Sequence, residues 1–448
     1  MGRINAELLI YPVCWSVVLV SAWAFWSWWR MTGNWFDPYT LFLLSAVLFS
    51  GGQAFLEVAG LNDSGILANR FSSHTALFAL LAVTLGLSAM HLGVLLAVSW
   101  STFGERKEPS VEDFDLEIES LRTAGWILLV VSAIPMVIIA SDAVAVVWEG
   151  GYFALYQQDR GTGFHATPQI LAQFFVPSTF LFLAANGGSK KYLMMSGAMM
   201  FFNSLIFLAL GYRYYAIAPL LCYAWLWHRC RRPIPTMVIV SVGLVLVGIV
   251  FPTIKSIRNV ALAERFSVDF IVNSFFGIDN PLIDAFAEMG GSLITVAYTM
   301  DLVPWVRPFD YGMQYLYSIL TLVPNVFGPI HPSIAHGTPN AWLIQTVDPF
   351  TAMRGGGLGY SFVAEAFLGF GFWGVPVILF VIGFLYTRLI IWGTWSHSLG
   401  KIAVVAIFLC FFLFYPRSDS TTIIRPLVWY ALLPYLLSRV LERFRRTR

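Results

Sequence analysis

About eleven stretches of roughly twenty apolar residues, spread along the 448-residue chain, constrain its fold more than any other feature. They lie near 8–29, 39–60, 75–100, 124–148, 167–187, 192–210, 213–228, 235–253, 372–393, 401–416 and 426–441. A helix needs this length to cross about 30 Å of hydrocarbon, where the backbone has no water to bond and must satisfy itself. The chain is therefore expected to be all-α, a polytopic membrane protein with about 11 transmembrane helices. With 58% hydrophobic and only 12% charged residues, it could not furnish both a core and a wetted surface. A net charge of +2 excludes a large basic footprint for nucleic acid. Cys14, Cys222, Cys230 and Cys410 fall in or beside apolar runs without zinc-site or disulfide spacing, and read as small apolar fillers. Ala22 and Ala24 mimic a signal-peptide cleavage site, but the first apolar run is too long and too rich in tryptophan. An anchored helix is expected there, with no soluble domain appended at either end.

Lys and Arg in short loops mark the cytoplasmic side. Lys190 and Lys191, then Arg229, Arg231 and Arg232, then Lys401, then Arg443, Arg445, Arg446 and Arg448 occupy alternate gaps. One parity puts all four groups inside, together with the polar stretch 102–123 that holds Arg106 and Lys107. The same parity puts residues 254–371, and formally the N-terminus, outside. Three regions follow: 1–253 with eight membrane helices, 254–371 as a large periplasmic loop, and 372–448 with three further helices and a cytoplasmic tail.

A connection of roughly 118 residues is far longer than an ordinary loop and points to function. Within it, "PLIDAFAEMGGSLITVAYTMDLV" sets Leu282, Ile283, Phe286, Leu293, Ile294 and Ala297 on one helical face and Asp284, Glu288 and Ser292 on the other, with Gly290–Gly291 as a break. "YGMQYLYSILTLVPNVFGPIHP" reads as a short helix stopped by Pro324, Pro329 and Pro332.

Charge is costly at a membrane, so each arginine at a helix mouth calls for a reason. Gly211, Tyr212 and Arg213 form the whole turn of an outward hairpin in "FLALGYRYYAIAPLL". "FFLFYPRSDSTTIIRPL" carries Arg417 after Pro416 and Arg425 before Pro426, both prolines reading as helix ends. Arg354 precedes a helix expected to begin near Phe372. Four outward arginines breach the positive-inside bias. Either they snorkel to lipid headgroups, or they share an anionic ligand, for which the planar, always-charged guanidinium is suited. Gly355, Gly356 and Gly357 after Arg354 serve equally as an anion-facing nest or as a hinge. Glu365, in apolar surroundings, would pair with an arginine or act as a base. Glu288, His331 and His336 are the other titratable groups of the loop that could take a proton. No Asp-x-Asp pair, Walker loop or dinucleotide fingerprint stands in the outward stretches, so no cofactor, metal or nucleotide sugar is expected.

The "GYR" hairpin, the loop ending "LVPNVFGPIHP", the "GGGLGYSFVAEAFLGFGFWG" helix entry and the closing "PRSDSTTIIRPL" together resemble the O-antigen and repeat-unit polysaccharide polymerases, called Wzy-type. The resemblance covers residues 200 to 440, and the front half by architecture alone. It implies a membrane glycosyltransferase of GT-C-like fold in the bacterial inner membrane, acting in lipopolysaccharide biosynthesis. Its substrates would be undecaprenyl-pyrophosphate-linked oligosaccharides, joined at the periplasmic face without a metal. Family members work beside a chain-length regulator and a flippase. By this resemblance Arg213, Arg354, Arg417 and Arg425 would hold the pyrophosphate; with the residues read above, Arg213, Arg354, Arg417 and Glu365 are the expected catalytic set, and Arg425, Tyr212, Gly355, Gly356, Gly357, Tyr360, Glu288, His331 and His336 are expected to bind substrate. An O-antigen ligase shares this architecture and donor; a transporter or flippase of lipid-linked glycans is the reading from another class.

Overall fold

A computed structural model describes residues 6–63, 65–101, 110–157, 167–265, 267–323, 331 and 335–447. Helix makes up 81% of it, with no strand among the described residues. Pro324, Pro329, Pro332, Arg106 and Lys107 lie outside the described residues.

The first eight long helices are α1 (Ala6–Thr32), α2 (Pro38–Val58), α3 (Ser73–Ser99), α4 (Val111–Gln157), α5 (Thr167–Ala184), α6 (Lys190–Leu210), α7 (Arg213–Cys230) and α8 (Thr236–Ile257). Six shorter helices follow: α9 (Val268–Phe276), α10 (Pro281–Met289), α11 (Ser292–Leu302), α12 (Met313–Leu320), α13 (Pro339–Val347) and α14 (Pro349–Met353). The chain then returns through α15 (Phe362–Thr394), α16 (Leu399–Arg417) and α17 (Thr421–Arg446). Ten described helices are long and apolar enough to cross a membrane, against the eleven expected. The exception is α7, whose 18 residues include Arg213, five Tyr or Trp, His228 and Arg229. It is partly buried: Ala216, Ala218, Cys222 and Leu226 face protein, while Tyr215 and Leu220 are exposed.

Local chemistry accounts for where helices start. Asp37 caps α2 by accepting from the Tyr39 and Thr40 amides, with Pro38 as the first helical residue. Asn280 and Thr338 cap α10 and α13 in the same way, each followed by proline. Two helix starts differ from expectation. The α15 helix begins at Phe362, ten residues before Phe372, and breaks at Gly371 (φ 69°) where the apolar run was expected to start. Its first turns are buried and carry Glu365, a charge that interrupts the hydropathy signal. Pro426 does not mark a helix end either: α17 starts at Thr421 and passes the proline in a π-helical turn from Pro426 to Leu432. Such a turn shifts the hydrogen-bond ladder past the missing N–H.

Long-range contacts sort the ends of the helices. Arg445 pairs with Glu119 at 2.6 Å and Arg446 with Asp113 at 2.7 Å, so the C-terminal tail lies beside the start of α4. Arg122 there donates to the Ala185 and Asn186 carbonyls and covers the Tyr192 ring, next to Lys190 and Lys191. Arg229 donates to the Thr394 carbonyl at 3.0 Å. These basic groups share one end of the bundle, the tail side. At the other end, the loop side, Thr75 donates to Asp301 at 2.7 Å and Ser73 to Glu7 at 3.3 Å, bringing the start of α1 to the segment between α8 and α15.

The Gly290–Gly291 break separates α10 from α11 as the sequence pattern predicts. A Cβ on Gly290 would fall 2.6 Å from the Gln53 amide, so glycine is what allows α10 to rest backbone-to-backbone on α2. The polar face of this pair does not meet solvent alone. Asp284 pairs with Lys255 at 2.6 Å, Glu288 pairs with Arg213, and Ser292 is buried.

Candidate functional site

The mouths of α7, α8, α10 and α16 converge on the loop side and bring cations together. Gly211, in the left-handed region at φ 89°, closes α6, and Arg213 opens α7 two residues later, as the "GYR" turn predicts. The Arg213 guanidinium grips both Glu288 oxygens, with Nη1 at 3.1 Å from Oε2 and Nη2 donating to Oε1. The same Nη1 lies 3.1 Å from the Phe251 carbonyl oxygen. Arg417 donates from Nη1 to the Glu288 backbone oxygen at 2.8 Å and lies over the Phe49 ring. One short helix end, at Glu288, is thus held by two arginines far apart in the chain.

Burial works to raise the Glu288 pKa, but the hydrogen bonds and charge of Arg213, aided by Lys255 and Arg258, outweigh it and hold this carboxyl below its ordinary range. That balance shows that Arg258 belongs to the cluster. Its guanidinium stacks over Tyr152 at 4.8 Å, and its buried Nε has no hydrogen-bond partner. Arg265, 5% exposed, braces this corner by donating to the carbonyls of Arg258, Val260 and Ala209. Neither Arg258 nor Tyr152 was singled out from the sequence. Arg258 carried the same signal as the others, a basic residue just past an apolar run on the side where basic residues are scarce.

Tyrosines line the rim. Tyr212 packs edge-on to Tyr152 at 5.3 Å and to Tyr215 at 5.6 Å, and the Tyr152 and Tyr156 hydroxyls lie 2.6 Å apart. The glycine stretch reaches this rim. A Cβ on Gly355 (φ 74°) would sit 2.3 Å from that of Tyr156, and one on Gly359 (φ 74°) would sit 3.2 Å from Arg417 Cγ. These glycines let the loop thread between α4 and Arg417.

The anion-nest reading of the glycines is corrected for two of them. The Gly355 amide donates to Ala352 and the Gly356 amide to Thr351, closing α14 as a helix C-cap and leaving neither free for a ligand. Gly357 stands in open space, with only the Gly359 amide within 4 Å of its would-be Cβ. Arg354 is exposed, and its charge falls on Asp348. Thr351 hydrogen bonds, with Arg354 behind them, hold Asp348 below the usual carboxylate range. Arg425 is tied into the scaffold, with Nε 2.8 Å from the Thr321 carbonyl.

Glu365 pairs with no arginine among the described residues. It is fully buried and accepts from the Ser420 amide at 3.0 Å, the Ser420 hydroxyl at 2.6 Å and the Tyr415 hydroxyl at 3.2 Å. The expectation of an arginine partner fails because the helical turn carrying Glu365 faces inward, toward the α16–α17 loop. Asp419 lies in that loop, 2% exposed, and burial raises its pKa despite hydrogen bonds from Thr421 and Asn340. Tyr360 is also core: it is fully buried, its hydroxyl 3.3 Å from Thr299 and its amide donating to the Arg417 carbonyl. Its amide holds the Arg417 backbone, and direct contact of its side chain with a substrate would require it to leave the core. His331 is 5% exposed. His336 stacks on Tyr317 at 4.0 Å, beside the Arg307–Asp310 pair, in a second polar group with Trp342.

The site therefore consists of Arg213, Arg258 and Arg417 around Glu288, with Lys255 and Asp284 alongside, beneath a tyrosine rim. Fixed guanidinium forks at a partly dry helix mouth suit an oxyanion that carries more than one charge. No curated protein and no solved structure matches the chain. Residues 16–444, nearly the whole chain, match the family described as O-antigen polysaccharide polymerase Wzy, and the chain belongs to this family.

Proposed function

We propose that this polymerase joins undecaprenyl-pyrophosphate-linked repeat units at the periplasmic face of the inner membrane, with the lipid pyrophosphate as leaving group. The single observation that carries the reading is the convergence of Arg213, Arg258 and Arg417 on Glu288 at the mouth of four helices. In the reaction, the hydroxyl of an incoming repeat attacks the anomeric carbon of the growing glycan. The bond from that carbon to the pyrophosphate oxygen breaks, and the electron pair leaves on the pyrophosphate. Preorganised guanidinium groups stabilise that growing charge in a site of low dielectric.

Glu288 occupies in the resting protein the place where a phosphate would sit on Arg213. When the donor takes Arg213, Glu288 loses the contact that depresses its pKa and becomes a better base for the acceptor hydroxyl. Glu365, enclosed on every side, is a poorer candidate for that step. Arg354, exposed on the approach to the site, would draw the anionic substrate inward. The chemistry needs neither metal nor nucleotide. A chain-length regulator and a flippase belong to this reading as partners.

The test is purified protein in vesicles with lipid-linked repeat units, read as a ladder of glycan lengths in excess chelator. Elongation that Arg258→Lys and Arg417→Lys abolish at normal membrane abundance supports the reading. Rescue only by added magnesium or manganese, or transfer to lipid A core in place of another repeat, would overturn it.

A further inference from the structure

Helix α8 is fastened to the protein at its ends. From Thr236 to Val250 none of its residues is buried, and Met237 and Leu244 are 80% and 62% exposed. Ile234 and Ile239 touch the main core near the tail side. Near the loop side, Gly248 lies under Leu282, and the Phe251 carbonyl accepts from Arg213. Between these fastenings, over about two turns, protein leaves the helix uncovered. No charged residue occurs from Thr236 to Phe251, and then Lys255 and Arg258 follow at once. An apolar flank open to hydrocarbon thus ends directly at the arginine cluster.

Charge selects the kind of lipid. Lys255, Arg213, Arg258 and Arg417 give four positive charges and Asp284 and Glu288 two negative, leaving +2 at the mouth. A phospholipid phosphate offers one negative charge, whereas a pyrophosphate bridging two carbon groups offers two. The second matches the surplus.

We propose that the flank of α8 between Val240 and Gly248 holds the isoprenoid chain of the lipid-pyrophosphate donor while the headgroup lies among Arg213, Arg258 and Arg417. This rests on the polymerase reading above, and it adds where the lipid enters and which helix steers it. Extended isoprenoid chains bury their methyl branches against a smooth apolar surface, which the Val- and Gly-rich run "VIVSVGLVLVGIV" supplies.

The experiment places the photoreactive residue p-benzoylphenylalanine at Val242 or Leu244, and at Ile134 on α4, 71% exposed, as a control for bulk lipid. The full-length protein is reconstituted in phosphatidylethanolamine and phosphatidylglycerol vesicles containing undecaprenyl-pyrophosphate-linked repeat units, and illuminated. Positions 242 and 244 should capture the undecaprenyl-pyrophosphate-linked repeat unit about tenfold above its share of the lipid, an enrichment equivalent to about 1.4 kcal/mol. Arg258→Ala should remove the enrichment, and position 134 should show none. Capture at 242 and 244 in proportion to lipid composition overturns the inference. Elongation of lipid-linked repeats is measured in the same vesicles to separate the two readings. Elongation without enrichment refutes the α8 flank alone, whereas enrichment without elongation supports the flank and counts against the polymerase mechanism.

Discussion

Arg213→Lys separates a guanidinium that grips a phosphate from one that merely reaches for lipid headgroups. Arginine here serves three acceptors at once, both Glu288 oxygens and the Phe251 carbonyl. Lysine keeps the charge but not the planar fork, so it can hold one carboxylate oxygen well and must release the others. In the resting protein this costs about 1.5 kcal/mol, the lower end for a charged hydrogen bond, because both side chains are about one-fifth exposed (18% and 20%). In the transition state the lost prong faces developing phosphate charge, and the loss rises to about 3 kcal/mol, or roughly a hundredfold in rate. The measurement is initial elongation rate in vesicles, alongside membrane abundance and thermal unfolding in detergent. Rate should fall much further than stability. Arg425→Lys is the internal control: its Nε serves a backbone carbonyl of the scaffold, so its loss is confined to about 1 kcal/mol of stability. Wild-type elongation by Arg213→Lys at wild-type abundance would show that the cluster anchors the protein and does no chemistry.

Arg354 is exposed and its charge falls on Asp348, so Arg354→Lys should be silent, while Arg354→Ala should raise KM at low salt and lose that effect as salt screens it. Equal loss in both variants at all salt concentrations would show a fixed phosphate contact. Glu288 has a depressed pKa in the folded protein, so its pairing stabilises the fold above its ordinary value near 4.5 and loses that effect as pH falls through the lower folded value. Glu288→Gln should flatten unfolding temperature over that acidic window, and an unchanged pH profile would contradict the pairing. A cysteine at Ser256 should react with an impermeant maleimide in intact spheroplasts, and one at Thr447 should not; the reverse pattern would move the whole site to the cytoplasm.

Hydropathy made most of the spans legible because a bilayer imposes one simple length rule on every crossing. It faltered where protein, and not lipid, surrounds the helix. The α7 helix has Tyr223 and Trp225 covered by neighbours, so its composition falls below that of a lipid-facing span while its length does not. The first turns of α15 carry Glu365 in a buried polar pocket, and the apolar count therefore starts too late. Pro426 was read as a boundary because proline breaks an α-ladder, whereas a π-turn absorbs it.

The site was legible by residue type and side of the membrane, and partners were not. Arg213 and Arg417 were visible as costly charges at outward helix mouths, and Arg258 satisfies the same test. Adjacency in sequence misdirected the choice of carboxylate. Glu365 lies eleven residues after Arg354 but faces Ser420 and Tyr415 inside the bundle. Glu288 lies 75 positions from Arg213 and reaches it through the Gly52–Gly290 contact that seats α10 on α2. Helical periodicity had already put Glu288 on the polar face with Asp284, and that face needed a basic counterpart. The counterpart was Lys255, Arg213 and Arg258, at the ends of two other helices. A polar face on a short loop helix and unexplained arginines at nearby membrane mouths are complementary halves, and matching them by charge selects Glu288 over Glu365 from the sequence.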